Sequence, residues 1–104
     1  MTTHDGDDLT LLKVKGEASF YDDKSRKDYV KSLATAINIV ITKHGSAKLK
    51  TVGASSLNNA SKAIIIARGE LAKKGLDLVI EPSFDSANFD GADKTAIVFK
   101  VLPR

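Results

Sequence analysis

Two long stretches of helical periodicity, each set between short runs of strand-like sequence, leave this chain few ways to fold. From about Ser25 onward, Val30, Leu33, Ala34, Ile37, Val40 and Ile41 form one apolar stripe, and His44 followed by Gly45 supplies the cation and the glycine that close a helix. The second stretch, GASSLNNASKAIIIARG (53–69), carries Leu57, Ala60, Ile64, Ala67 and Leu71 at three- and four-residue spacing and ends near Lys73, Lys74 and Gly75. Around them LTLLKVKG (9–16), AKLKTVG (47–53), LDLVIEPS (76–83, stopped by Pro82) and TAIVFKVLP (95–103) read as strands. EASFYDDKS (17–25) and SANFDGADK (86–94) read as turn-rich connections. The order is β-α-β-α-β-β, which predicts a two-layer α/β (α+β) fold with both helices on one face of a four-stranded mixed sheet.

The second helix has more apolar residues than one face can use. Ile65 and Ile66 lie about 100° and 200° round the helix from Ile64, so burial on a second side is required, against the first helix or against another subunit. The expected assembly is a two-fold dimer with Leu57, Ile65 and Ile66 at its interface, and the third and fourth strands as candidates to extend it. Gly53 permits a tight strand-to-helix turn, with Ser55 or Ser56 expected to cap the first free amides. A single glycine without a Gly-Lys-Ser/Thr sequence favours capping over a nucleotide site.

At 104 residues, 42% hydrophobic and 28% charged, the chain matches one soluble domain that buries roughly 65% of its unfolded surface. With no cysteine, a disulfide, a thiolate metal site and a cysteine nucleophile are all excluded. The opening MTTHDGDDL is acidic and lacks the apolar run of a signal peptide, and no apolar stretch is long enough to span a bilayer, so a cytoplasmic protein without membrane contact is expected. Residues 1–8 read as a flexible acidic tail and 9–104 as the single domain. Setting aside Asp5, Asp7 and Asp8 leaves 10 of the 13 acidic residues against 16 basic ones, a net of +6, so the basic part is the folded part.

Enzyme chemistry has little to work with. His4 and His44 are the two histidines, neither has a nucleophile at a recognisable spacing, and the carboxylates are scattered through tail and turns. No catalytic residue, cofactor or metal centre is expected of the domain. The tail holds one incidental chelation pattern: if Met1 is removed, the amine of Thr2, two amide nitrogens and the imidazole of His4 can enclose Cu(II) or Ni(II) in a plane.

GASSLNNASKAIIIARG, then GLDLVIEPSF, then DGADKTAIVFKVLPR, with LLKVKG in front, together resemble the stage V sporulation protein S (SpoVS) family from about Gly45 to Arg104. The resemblance implies an Alba-like fold and a homodimer that binds DNA or RNA as a regulator, linked in spore formers to late sporulation and present also in bacteria that do not sporulate. Two features depart from Alba-type binding. Gly53, Ala54 and Ser55 stand where archaeal Alba proteins carry basic residues, and Gly16 to Ser25 reads as an insertion relative to SpoVS that contains Glu17, Asp22 and Asp23. The connection between the third and fourth strands sets Asp85, Asp90 and Asp93 against Lys94, and acidic loops repel phosphate.

The candidate nucleic-acid contacts are therefore Lys13, Lys15, Lys24, Arg26 and Lys27 around the first loop, with Lys62 and Arg68 on the second helix. Phe20 and Tyr21 either stack on unpaired bases or anchor their loop to the domain. Arg68 lies near the apolar stripe, where an ion pair with Asp77 competes with a phosphate contact. The rival class is a protein–protein interaction module of a bacterial regulatory or developmental pathway, in which self-association and partner docking are the whole function.

Overall fold

The computed structural model describes residues 8–89 and 91–104. Its elements follow the predicted order: β1 (Leu11–Lys13), a 3-10 turn (Glu17–Ser19), α1 (Asp23–His44), β2 (Ala47–Thr51), α2 (Ala54–Ala72), β3 (Leu78–Phe89) and β4 (Ala92–Pro103). Helix α1 opens on Asp22, whose carboxylate accepts the amide of Ser25 at 2.7 Å, a side-chain cap for one of the helix's free donors. It ends on Gly45 at φ 86°, where the glycine N–H donates to the Ile41 carbonyl. That left-handed position is one a side chain rarely adopts. Between these ends the predicted stripe is buried, with Tyr29 added to it.

Gly53, at φ 87°, makes the tight turn into α2, but neither serine caps the helix. Ser56 Oγ instead donates back to the carbonyls of Val52 and Gly53, at 2.8 and 3.1 Å. Ser55 Oγ accepts the amide of Glu17 at 2.9 Å and so straps the β1–α1 loop to the start of α2. The hydroxyls go to the groups that lie nearest them, inside the turn and in the loop above it, and the helix opens on a bare glycine. Small residues Ala34, Ala60, Ala63 and Ala67 are buried where the two helices meet.

The sheet has the order β1-β2-β4-β3, parallel between β1 and β2 and antiparallel elsewhere. Side chains alternate across it. Leu12, Ala47, Leu49, Thr51 and Val101 are buried beneath the helices, and Lys13, Lys48, Lys50 and Lys100 belong to the opposite face by register. Thr51 meets its burial by donating to the Ile97 carbonyl at 2.9 Å.

Two strand boundaries differ from expectation. The third strand runs through Pro82 to Phe89, and the fourth begins at Ala92, so most of the predicted connection is a paired ribbon. Pro82 is tolerated because β3 is an edge strand, where an N–H on the outer side has no partner to lose. Rungs from Asp85–Ala96 to Phe89–Ala92 continue beyond Thr51–Ile97, the last pair made by β2. They extend the hairpin by ~15 Å at the usual rise per residue. Gly91, at φ 80°, forms the turn. The ribbon's Ser, Asn and Asp residues have turn propensities, but strand register and a single glycine turn prevail over them. Strand β1 is shorter than predicted, though the Val14 amide still reaches the Lys50 carbonyl at 3.0 Å.

Asp77 ties the end of α2 to the sheet. One carboxylate oxygen accepts from Arg68 Nε at 2.6 Å and from the Leu78 amide at 2.8 Å, and the other accepts from the Arg104 guanidinium at 2.8 Å. The Arg68 hydrogen bond, followed by the amide, lowers its pKa from 3.8 to about 2. A carboxyl more acidic folded than unfolded contributes stability that is complete above its unfolded pKa and lost as the pH falls through the folded value. Thermal unfolding should therefore show a loss of stability between roughly pH 4 and pH 2. Asp77→Asn should flatten that slope and lower the midpoint at neutral pH by a few degrees; an unchanged pH profile would show that the clamp contributes nothing.

Candidate nucleic-acid interface

The β1–α1 loop is built around one tyrosine. Tyr29, buried in the first turns of α1, accepts the Lys15 amide on its hydroxyl at 3.1 Å. Its ring meets Phe20 at 4.9 Å between centroids and carries the Lys15 ammonium at 5.7 Å. From below, the buried Asn59 of α2 donates to the Lys15 carbonyl at 3.0 Å. The two candidate aromatics thus separate: Phe20 is an anchor packed on the core, whereas Tyr21 is 95% exposed. Only Tyr21 offers a face to an unpaired base.

The basic residues that follow on α1 are matched by acids at helical spacing. Lys24 pairs with Asp28 at 3.1 Å, Lys27 with Asp23 at 3.3 Å, and Arg26 also binds Asp23. The Arg26 hydrogen bond is the main reason the Asp23 carboxyl sits below its ordinary range. These are i,i+3 and i,i+4 pairs on one helix turn, and they neutralise the cluster that the sequence offered as a phosphate site. Arg68 is likewise engaged by Asp77, the ion pair considered from sequence. Lys62 is exposed on α2, away from that clamp.

Strand register brings Lys13 into a different group, which sequence reasoning missed. Lys13 of β1 lies directly opposite Lys50 of β2, and Lys48 of β2 directly opposite Lys100 of β4. The open face of the sheet therefore holds two like-charged cross-strand pairs side by side. Like charges placed opposite each other cost stability. Part of that cost is met internally: Asp8 reaches Lys48 at 3.4 Å, Asp85 reaches Lys50 at 3.2 Å, and Glu81 of β3 stands directly opposite Lys100. Hydrogen bonds from Thr10 keep Asp8 ionised below the ordinary carboxylate range, and the Ser86 amide does the same for Asp85, with Lys50 second. The alternation of AKLKT put Lys48 and Lys50 on one face; which lysines stood across from them depended on non-local pairing.

The apolar surface expected at a dimer contact divides in two. Ile65 is 69% exposed and lies beside Arg68, Ala72 and Leu76 on the outer side of α2. Leu57 belongs instead to the Ile64 stripe and is half-buried. Ile66 is 37% exposed and turns toward α1, lining a groove with Ile39. Exposed Ile80 and Phe84 share the helix-side face of β3. Among the described residues no group of three or more His, Cys, Asp or Glu side chains is placed to hold a metal ion, and no helix is long and apolar enough to cross a membrane. The Thr2–Thr3–His4 chelation pattern lies outside the described residues.

The family model described as Stage V sporulation protein S (SpoVS) matches residues 24–104. The match takes in α1 from its second residue, β2, α2 and the whole β3–β4 hairpin, and the β1–α1 loop lies ahead of it. With most of its length inside that match, the chain belongs to the stage V sporulation protein S family, whose name ties it to sporulation.

Proposed function

We propose that this chain is a dimeric regulatory protein that acts by binding DNA or RNA rather than by catalysis, gripping phosphates with little preference for base sequence. The observation that carries the reading is the pair of like-charged cross-strand contacts, Lys13–Lys50 and Lys48–Lys100, on the face that the helices leave bare. A fold that sets four lysines against one another gains when a polyanion lies across them, because phosphate contacts neutralise the charge and release counterions. Lys15, its backbone held by Tyr29 and Asn59 and its ammonium over the Tyr29 ring, adds a cation in the neighbouring β1–α1 loop. The polyanion would cross β1, β2 and β4 and avoid the ribbon, where Asp85 and Asp93 repel phosphate. A SpoVS-family chain with this surface fits a nucleic-acid-associated role in a sporulation-type programme.

The dimer would use the outer side of α2 around Ile65, with the exposed Ile80 and Phe84 of β3 on its flank. A stable dimer needs roughly 800 Å² from each partner, and exposed isoleucines in an 11.1 kDa chain are a natural place to find it.

Two measurements test this. Sedimentation at micromolar concentration should give a dimer, and Ile65→Asp a folded monomer; a wild-type monomer would remove the self-association half of the reading. Binding to duplex DNA, single-stranded DNA and RNA at two salt concentrations should weaken steeply with salt. Replacing Lys13, Lys48 and Lys100 together by Ala should reduce the log–log salt slope by ~2–3 units at about 0.7–0.9 per lost phosphate contact. Tyr21→Ala should cost about tenfold on single strands and little on duplexes. A folded dimer with no binding at low salt would overturn the nucleic-acid half.

A further inference from the structure

Between α1 and α2, on the side away from the sheet, lies a groove of about 820 Å³ that the nucleic-acid reading does not use. Its floor includes Ile39, 50% exposed, and Ile66. Its rim carries Lys31 and Lys43 of α1 and Lys74 just past the end of α2. Lys31 and Lys43 are twelve residues apart, which is ~18 Å along a helix.

The charges here are arranged differently from those at the start of α1. There the cations are paired with acids of the same helix; here, among the described residues, no carboxylate pairs with Lys31, Lys43 or Lys74, Asp28 and Glu70 being taken by Lys24 and Lys73. The one acid on the rim, Glu70, faces Lys73 instead, at 3.5 Å. A further observation points inward. Asn38, in the groove wall, donates to the Ala67 carbonyl at 3.3 Å, which leaves its Oδ1 buried without a partner. Turning the amide over would set that oxygen against the Ala67 carbonyl, so the free acceptor stays where it is. A buried acceptor lacking a donor is rare in folded proteins.

We propose that this groove is the docking site for an acidic amphipathic helix of a partner protein. About three turns of such a helix match the distance between Lys31 and Lys43. Its apolar residues at i, i+3/i+4 and i+7 pack on Ile39 and Ile66, and its carboxylates face the lysines on both rims. The floor is aliphatic and offers no aromatic platform for bases, which favours a peptide over a nucleic acid.

The test is selection of a displayed library of random 16-residue peptides on the full chain, followed by affinity measurement of the enriched sequences on wild type, Ile39→Asp and the Lys31→Glu/Lys43→Glu double variant. Ile39 is half exposed, and the double variant touches only exposed side chains, so at least one of the two should unfold like wild type. The expected result is enrichment of acidic sequences with helical apolar spacing, and at least a tenfold loss of affinity on each folded variant. The proposal is overturned if no sequence is enriched, or if the enriched ones bind the variants equally. It is overturned also if Ile39→Asp dissociates the dimer, which would give the groove to a second copy, or if DNA or RNA competes with the peptides for it.

Discussion

Two helices cover one face of the four-stranded sheet, and among the described residues no further helix or strand covers the other. That limit organises the molecule. Leu12, Leu49 and Val101 bury under α1 and α2, and the alternation of the strands then sends Lys13, Lys48, Lys50 and Lys100 outward. Because β2 is short, the β3–β4 hairpin outruns it and continues as a two-stranded ribbon. The basic face and the acidic arm are thus products of one packing arrangement, in which charge is put where burial is impossible.

Local signals in the sequence were reliable wherever one element supplied all the partners. The stripe of α1, its glycine terminus, the Gly53 turn and the Arg68–Asp77 pair were all visible as spacing. The ion pairs of Lys24, Arg26 and Lys27 were visible too, as i,i+3 and i,i+4 acids, and deserved more weight against the phosphate reading. What could not be seen was register. Nothing in LLK, AKLKT or FKV says that Lys13 will face Lys50 or that Lys48 will face Lys100, since that depends on pairing between residues about 40 and 50 positions apart in the chain. The serine cap failed for a similar reason: the loop that claims Ser55 lies 38 residues away. The ribbon was hidden because polar, turn-forming residues are acceptable in a strand once both of its faces meet water.

Basic residues here fall into distinct kinds. Those on the first turn of α1, and Arg68, are held by carboxylates. Those on the open sheet face are crowded together with partial relief from Asp8 and Asp85. Those around the interhelical groove surround apolar side chains and, among the described residues, are paired with no carboxylate. A net charge describes none of this. Exposed ion pairs contribute little to stability, so the arrangement says more about what each surface can meet than about how the fold is held.

Pro82 has a consequence beyond its tolerance in β3. An antiparallel strand points its amides alternately toward its neighbour and away from it, so with β4 on one side, Pro82 occupies a position on the free border. The missing N–H interrupts the ladder that an incoming strand would need, near the middle of the segment that lies over the domain. An edge strand with an unbroken ladder is exposed to runaway sheet extension, copy upon copy. With this proline in place, copies of the chain are left to meet through the shapes of their side chains, a mode of contact that can close on itself and stop.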